Sequence, residues 1–257
     1  MRILFIGDIV GRSGRQIVAD LLPSLREQYS PDFVIANGEN AAHGKGLTKK
    51  TFAFLMASGI DVMTLGNHAF SKDDIVNFID DKRLLRPINM EPFGLGHGFG
   101  FYQCQDKVIG VASVCGNVFM AESNTNVFKA IEPFFEKTAD IRIVDFHGEA
   151  TSEKIAFTYL YANKLSAVIG THTHVQTADE RIIQGCGFLS DAGMCGPYES
   201  VLGRDIDEVL RKLADEEITR YTVAETPAIF CGVLLDFNEG GRCVQIERLQ
   251  VRPLLES

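Results

Sequence analysis

Five hydrophobic runs in this chain each end on a residue able to bind a metal ion or move a proton. Ile3-Leu4-Phe5-Ile6-Gly7 runs into Asp8, and Phe33-Val34-Ile35-Ala36-Asn37-Gly38 runs into Glu39 and Asn40. Val62-Met63-Thr64-Leu65-Gly66 leads to Asn67 and His68, and Ile143-Val144-Asp145-Phe146 leads to His147. Ala167-Val168-Ile169-Gly170-Thr171 leads to His172 and, two residues on, His174. A single polar residue at such a place is ordinarily a turn former or a helix cap. Five in one chain read instead as one site. Carboxylate, carboxamide and imidazole donors without a thiolate suit hard or borderline divalent ions such as Mn, Fe, Mg or Zn. In an extended segment His172 and His174 point the same way, roughly 7 Å apart at the backbone. Such a pair can reach two ions about 3.5–4 Å apart, the spacing of two-metal hydrolases, with Glu39 between them.

Elements must bring these run ends together. Short β-branched runs alternate with amphipathic stretches, the pattern of a layered α/β fold, and in open α/β sheets ligands bind at the carboxyl edge. Expected strands are Arg2–Ile6, Phe33–Ala36, Val62–Leu65, Val108–Val114, Ile141–Phe146, Ala167–Ile169, Gly187–Leu189, Ile229–Phe237 and Cys243–Val251. Ile206, Val209, Leu210 and Leu213 share one helical face behind Asp205 as N-cap. Ser71 and Asp74 resemble a capping box opening a helix through Ile79. The first helix spans about Gly14 to Gln28, and Pro23 should kink it or start a second one. Gly7, Gly38, Gly66, Gly148 and Gly170 lie near the candidate ligands, where a chain leaving a strand often needs unusual dihedrals. A single domain over residues 1–257 is expected, with a small cap or insertion around 83–126, its least regular part.

Bulk properties exclude several classes. The 257 residues suffice for a full core, and 46% hydrophobic with 23% charged residues is ordinary globular composition. No window approaches the roughly 18–20 apolar residues of a membrane span. The apolar run after Arg2 stops at Asp8, so it reads as a strand and not a signal peptide. Six cysteines without a CxxC pair read as reduced, mostly buried thiols, and hence a cytoplasmic protein. A net charge of −9 argues against general nucleic-acid binding. It leaves room for a phosphate substrate, because bound cations reverse the field locally.

The ordered blocks GDIVG, NGEN, GNH, FHGEATSEK and GTHTHVQTAD resemble calcineurin-like metallophosphoesterases, specifically their YmdB-type bacterial branch. The likeness runs from Met1 to about Val251. The wider superfamily opens with Asp-x-His, where this chain has Asp8-Ile9-Val10, and it bridges its metals with an Asp where Glu39 stands here; both departures match the YmdB-type branch. The resemblance implies a layered α/β/β/α sandwich and two divalent or mixed-valence metal ions, Fe or Mn foremost, with Mg and Zn as alternatives. It implies that Asp8, Asn40 and His174 hold one metal and Asn67, His147 and His172 the other, with Glu39 shared and His68 as proton donor. Asn40 follows Glu39 directly, and neighbours in a strand face opposite ways, so a sharp turn after Asn37-Gly38 is required. The implied substrates are phosphodiesters, notably 2′,3′-cyclic nucleotides, cleaved by a metal-bridging hydroxide.

Other signals are weaker. Gly7-Asp8-Ile9-Val10-Gly11-Arg12-Ser13-Gly14 lacks both a P-loop ending and a dinucleotide fingerprint, although Arg12 or Arg15 could touch a phosphate. His43 and His97 lack strand-end placement, no serine sits in a nucleophile elbow, and Cys195 lies in a glycine-rich loop near the expected site. Phe70, Phe119 and Tyr198 are candidates for contacting a base, with core or lid packing the plainer reading. Competing functions are a phosphomonoesterase or nucleotidase on the same residues, and a metal- and nucleotide-binding regulatory protein with weak turnover. A homo-oligomer completes the expectations.

Overall fold

Alternation along the strands decides the layers. In the computed structural model, which describes residues 1–218 and 220–254, Leu4 and Ile6 of the first strand point into one core while Ile3 and Phe5 point into another. The strand is therefore covered on both faces, as its unbroken apolar run requires.

The first sheet has eight strands. They are β1 (Arg2–Ile6), β2 (Asp8–Ile9), β3 (Phe33–Asn37), β4 (Val62–Thr64), β5 (Leu84–Leu85), β12 (Met194–Pro197), β13 (Ala228–Phe237) and β14 (Cys243–Val251). Their order is β2-β12-β13-β1-β3-β4-β5, with β14 paired to β13. The second sheet holds six, β6 (Phe99–Cys104), β7 (Lys107–Cys115), β8 (Ile141–His147), β9 (Ala167–Thr171), β10 (Arg181–Ile183) and β11 (Cys186–Leu189), in the order β10-β11-β9-β8-β7-β6. One apolar layer, including Phe5, Ile35, Val111, Ile143 and Ile169, fills the space between the sheets. Outside the first sheet, α1 (Gly11–Tyr29) and α2 (Lys49–Ala57) cover a core around Leu4, Val18, Leu22 and Leu55. Outside the second, α3 (Val127–Ala130) and α4 (Thr151–Tyr161) cover one around Val144, Phe146 and Phe157. The architecture is an α/β/β/α sandwich.

All nine expected strands form, within two residues of their expected ends. The short strands β2, β5, β10 and β12 and the hairpin strand β6 carry no such sequence signal. Residues 83–126 give β5 to the first sheet and the β6–β7 hairpin to the second. Two local expectations are corrected. The first helix continues as one element through Pro23, whose missing donor removes a single bond from a helix anchored by Val18, Leu22 and Leu25. Ser71 and Asp74 form no capping box, and the segment is a short 3-10 helix, Asp73–Asn77. The Asp74 carboxylate instead accepts from the Lys49 backbone N–H at 2.8 Å, tying this segment to the start of α2. The final helix, α5 (Ile206–Ala214), does begin behind Asp205, whose side chain accepts from the Glu208 N–H. Of its apolar face only Val209 is buried, and Ile206, Leu210 and Leu213 are exposed.

Parallel pairing matters most for the site. Strands β1, β3, β4 and β5 run parallel, as do β7, β8, β9 and β11. Their carboxyl ends open onto the same edge.

Candidate metal centre

All eight residues singled out from the sequence meet at that edge. Asp8 opens β2 and is fully buried. Glu39 and Asn40 lie in the turn after β3, where Ala41 N–H bonds back to Gly38 O at 3.1 Å and lets consecutive side chains face one way. Asn67 and His68 follow β4, His147 ends β8, and His172 and His174 follow β9. His172 and His174 do not sit in extended chain. Both take positive φ, 110° and 66°, a strained backbone that surrounding contacts must hold.

The contacts form one network with two lobes. In one, the Asn40 amide lies 3.1 Å from His174 Nε2 and 3.1 Å from Glu39 Oε1, and His174 Nε2 is 3.9 Å from Asp8 Oδ1. In the other, His147 Nε2 lies 3.0 Å from Asn67 Oδ1, 3.1 Å from His172 Nδ1 and 3.1 Å from Glu39 Oε1. Glu39 joins the lobes, and its Oε2 accepts from the His68 N–H at 3.1 Å.

Proton accounting tests whether this set fits a cation. His147 Nδ1 is 2.9 Å from Thr171 Oγ1, and that hydroxyl donates to Asp145 Oδ1 at 2.6 Å. The hydroxyl proton is thereby spent, so Nδ1 must be a donor, and Nε2 is the nitrogen left to meet a cation or, without one, to carry a proton. His174 Nδ1 faces the Leu202 carbonyl at 2.9 Å, which leaves Nε2 as the lone-pair nitrogen. His172 Nε2 faces Glu149 Oε2 at 3.3 Å, which turns its Nδ1 lone pair inward. Three imidazoles, each held from outside by an oxygen, thus turn their inner nitrogens toward two carboxylates and the Asn67 oxygen, with the Asn40 amide nitrogen donating to Glu39 and facing His174. Outer-shell oxygens orient metal-bound histidines in the same way. Ligating atoms of Asp8, Glu39 and His147 lie within 4.8 Å of one another, and the buried Asp8 Oδ1 has no hydrogen-bond partner. A buried acceptor cluster of this kind is costly without positive charge, so the residues fit a metal cation.

The titration shifts express the same demand. Burial pushes Asp8 up to about 7, against the opposing pull of His174 and His147. Burial also opposes charge on Glu39 and His147, yet their mutual attraction wins, holding Glu39 down at about 2 and raising His147 to about 9. Burial, aided by His147, pushes His172 down to about 3, a neutral imidazole suited to coordination. Burial lowers His68 as well, with Glu39 partly offsetting it.

Comparison with known proteins follows the same line. The sequence pattern described as "YmdB-like protein" matches residues 4–249. The chain belongs to the YmdB-like family. It is 42% identical over 256 residues to a 2′,3′-cyclic-nucleotide 2′-phosphodiesterase of Bacillus subtilis, covering 98% of this chain and 97% of that one. A putative phosphatase/phosphodiesterase of Mycoplasma pneumoniae is 36% identical, over 93% of this chain and 88% of the other. Among solved structures, a hypothetical protein from Thermus thermophilus superposes with a TM-score of 0.92 at 36% identity, covering 98% of this chain and 99% of that one. A putative 5′-nucleotidase from Staphylococcus aureus, 16% identical with a TM-score of 0.61, matches 100% of this chain and 55% of its own; that likeness is of fold alone.

What the sequence left unmarked in this YmdB-like site lies mostly behind it. Asp145 is completely buried and accepts from Asn37 Nδ2, Thr64 Oγ1 and Thr171 Oγ1. Burial raises its pKa, and His147 with these donors offsets part of the rise. Its signal is visible in retrospect, since residue 145 shares a strand face with 147. Lys154 is fully buried and donates to the carbonyls of Thr171 (2.9 Å) and Ser190 (2.8 Å), with Asp191 at 3.5 Å. Asp191 in turn accepts from the Thr173 N–H at 2.9 Å, so this pair secures the loop carrying both histidines.

The glycines serve space and not dihedral freedom, for none of the five takes positive φ. A Cβ on Gly66 would lie 2.2 Å from Glu39 Oε2 and 2.3 Å from the His147 ring. One on Gly170 would lie 1.8 Å from Ser190 O.

On the open side, Glu149, Arg204, Leu202 and Tyr221 line a cleft with Glu39, Asn40, His68, His172 and His174. Glu122 accepts from Asn67 Nδ2 at 3.1 Å. The three candidates for base contact do not line this cleft, and two of them take the plainer packing reading. Phe70 packs against the first-sheet core, Tyr198 packs beside Val10 and Met194, and Phe119 is 86% exposed. His97 is tied to the Asp80 carbonyl, and the Cys195 thiol is buried against the Cys231 carbonyl. All six cysteines are free. Among the described residues no helix is long and apolar enough to cross a membrane.

Proposed function

We propose that this chain is a metal-dependent phosphodiesterase acting on small phosphodiesters, 2′,3′-cyclic nucleotides among them, at a centre of two divalent ions. The observation that carries it is the convergence of three outward-anchored imidazoles with Asp8, Glu39 and the Asn67 oxygen. On this reading Asp8, Asn40 and His174 would hold one ion and Asn67, His147 and His172 the other, with Glu39 common to both; the two lobes of contacts support that division. Bound there, the ions supply Lewis acidity and a water of lowered pKa. The cyclic-nucleotide activity of the Bacillus subtilis relative supports the substrate class.

The chain's own residues set up the rest. His68 would protonate the leaving oxygen, a role supported by its place in the cleft beside Glu39. Burial lowers its pKa, and an incoming phosphate anion would oppose that shift and favour the protonated ring. Thr171 and Asp145 hold His147 in one tautomer. Glu149 and Glu122 at the rim disfavour a dianionic monoester relative to a monoanionic diester, which weighs against a phosphomonoesterase.

The test is hydrolysis of bis-p-nitrophenyl phosphate and then 2′,3′-cyclic AMP, with added Mn²⁺ and after chelation. Turnover abolished by the chelator and restored by metal is expected. Stoichiometric metal binding without turnover with Mn²⁺, Fe²⁺, Mg²⁺ or Zn²⁺ would turn the assignment to a metal-dependent regulatory protein.

A further inference from the structure

A second cavity lies on the far side of Tyr221, which also lines the catalytic cleft. Its volume is about 750 Å³, inside the roughly 300–1,000 Å³ of small-ligand pockets. Arg12, Ser13, Arg15 and Gln16 of α1 form one wall, His43 another, and the chain from Tyr221 to Thr226 closes it. In a protein of net charge −9 this wall is locally basic. Neither guanidinium is paired with a carboxylate among the described residues, Glu225 on the lining included. Among the described residues the Arg12 side chain makes no hydrogen bond, and the Arg15 side chain donates only to the Ala41 carbonyl. Burial and the neighbouring Arg12 both lower the Arg15 pKa, as expected for two cations without an anion between them. The Ser13 hydroxyl is buried and has no partner, and no side chain caps the first turn of α1.

The cavity is coupled by position to the metal centre. Gly11 N–H bonds to the Asn40 carbonyl at 3.0 Å, and Arg15 holds the next carbonyl, so the basic wall backs the turn that presents Glu39 and Asn40. Apolar surface is present too, since the Val223 side chain packs onto Gly11 beside Tyr221.

We propose that this cavity binds a phosphate-bearing ligand of nucleotide size, its phosphate held by Arg12, Arg15 and Ser13 and its body against Tyr221 and Val223. Paired guanidinium donors in fixed geometry are the chemistry that selects phosphate. Two sources share that chemistry. One is a second phosphate on a linear substrate whose scissile diester lies at the metal centre, a reading that rests on the proposed phosphodiesterase activity. The other is a free nucleoside monophosphate.

The experiment uses the metal-loaded full chain as wild type, Arg12→Ala and Arg12→Glu; Arg12 is exposed and among the described residues its side chain makes no hydrogen bond or ion pair, so these variants should leave the fold intact. First, kcat/KM is compared for a 5′-phosphorylated and a 5′-hydroxyl dinucleotide, because their ratio cancels any general change in turnover. A wild-type ratio of about tenfold or more, falling toward one in Arg12→Ala and lower in Arg12→Glu, identifies the linear substrate. Second, adenosine 5′-monophosphate is titrated calorimetrically before and after chelation. A ratio near one, with binding that survives chelation and weakens about tenfold or more in the variants, identifies the free nucleotide. A ratio near one with no chelation-resistant binding, or with such binding unchanged in Arg12→Glu, overturns the site. If no dinucleotide is hydrolysed, the titration alone decides by the same criteria, so failure of the phosphodiesterase reading stays separate.

Discussion

The back and the front of the candidate metal centre are built differently. Behind it, Asp145, Thr171, Lys154 and Asp191 are almost wholly buried, sit in or against strands, and have their polar groups paired. In front, His68, His172 and His174 are partly exposed and borne on turns, with Glu149, Glu122 and Tyr221 at the rim. A buried polar network tolerates only complete satisfaction, so the back is a rigid frame that fixes tautomers. The front retains freedom to admit and release a substrate. Damage to the back should therefore cost metal and stability, while damage to the front outside the proposed ligands His172 and His174 should cost rate or selectivity.

The sharpest break would come at Glu39, where the regions meet. Glu39→Gln should remove metal and lower activity by well over the ~100-fold typical of outer-shell partners; elemental analysis with full retained activity would sink the shared-ligand assignment. Next comes His68→Ala, with a rate loss of about 10²–10⁴-fold and unchanged metal content. Joint loss of metal would make His68 a ligand. Thr171→Val should loosen His147 and weaken metal affinity about 10–100-fold, read by metal-buffered titration; an unchanged affinity would show that the tautomer is set elsewhere.

The pH dependence of stability tests the Glu39–His147 pair. Its histidine is raised from 6.5 to about 9 in the chelated protein. Stability from that proton is fully present below pH 6.5 and is lost as pH rises through 9. Chelated protein should therefore melt at lower temperature at pH 9 than at pH 6.5. In loaded protein the cation replaces the proton and the dependence should flatten. Equal slopes would contradict a cation at His147. The smallest effect belongs to the rim, where Glu149→Gln should improve kcat/KM for a monoester about two- to fivefold, an exposed-charge effect, and change a diester less.

Legibility from sequence divides along the same boundary. The ends of β1, β3, β4, β8 and β9 and their polar endings were readable because continuous apolar runs and abrupt polarity changes are local signals. The support behind them was not, since Asp145 reads as one polar residue in a strand and Lys154 as an ordinary helical lysine. Their partners, Thr171 and Asn37 or Ser190 and Asp191, are brought close only by sheet packing. The glycines teach the same point, for Gly66 and Gly170 were legible as special but for the wrong reason. Their need is room for Glu39, His147 and Ser190, neighbours remote in the chain.

By itself the sequence determined the layered α/β class, the edge on which the site lies, and the donor types that gather there. Periodicity and residue chemistry are properties of short stretches and survive without a fold. Only the tertiary structure decided which nitrogen of each histidine faces inward, how Glu39 joins two lobes, and that Arg12 and Arg15 wall a cavity behind them. Hydrogen-bond direction and enclosure exist only once distant segments are packed within reach of one another.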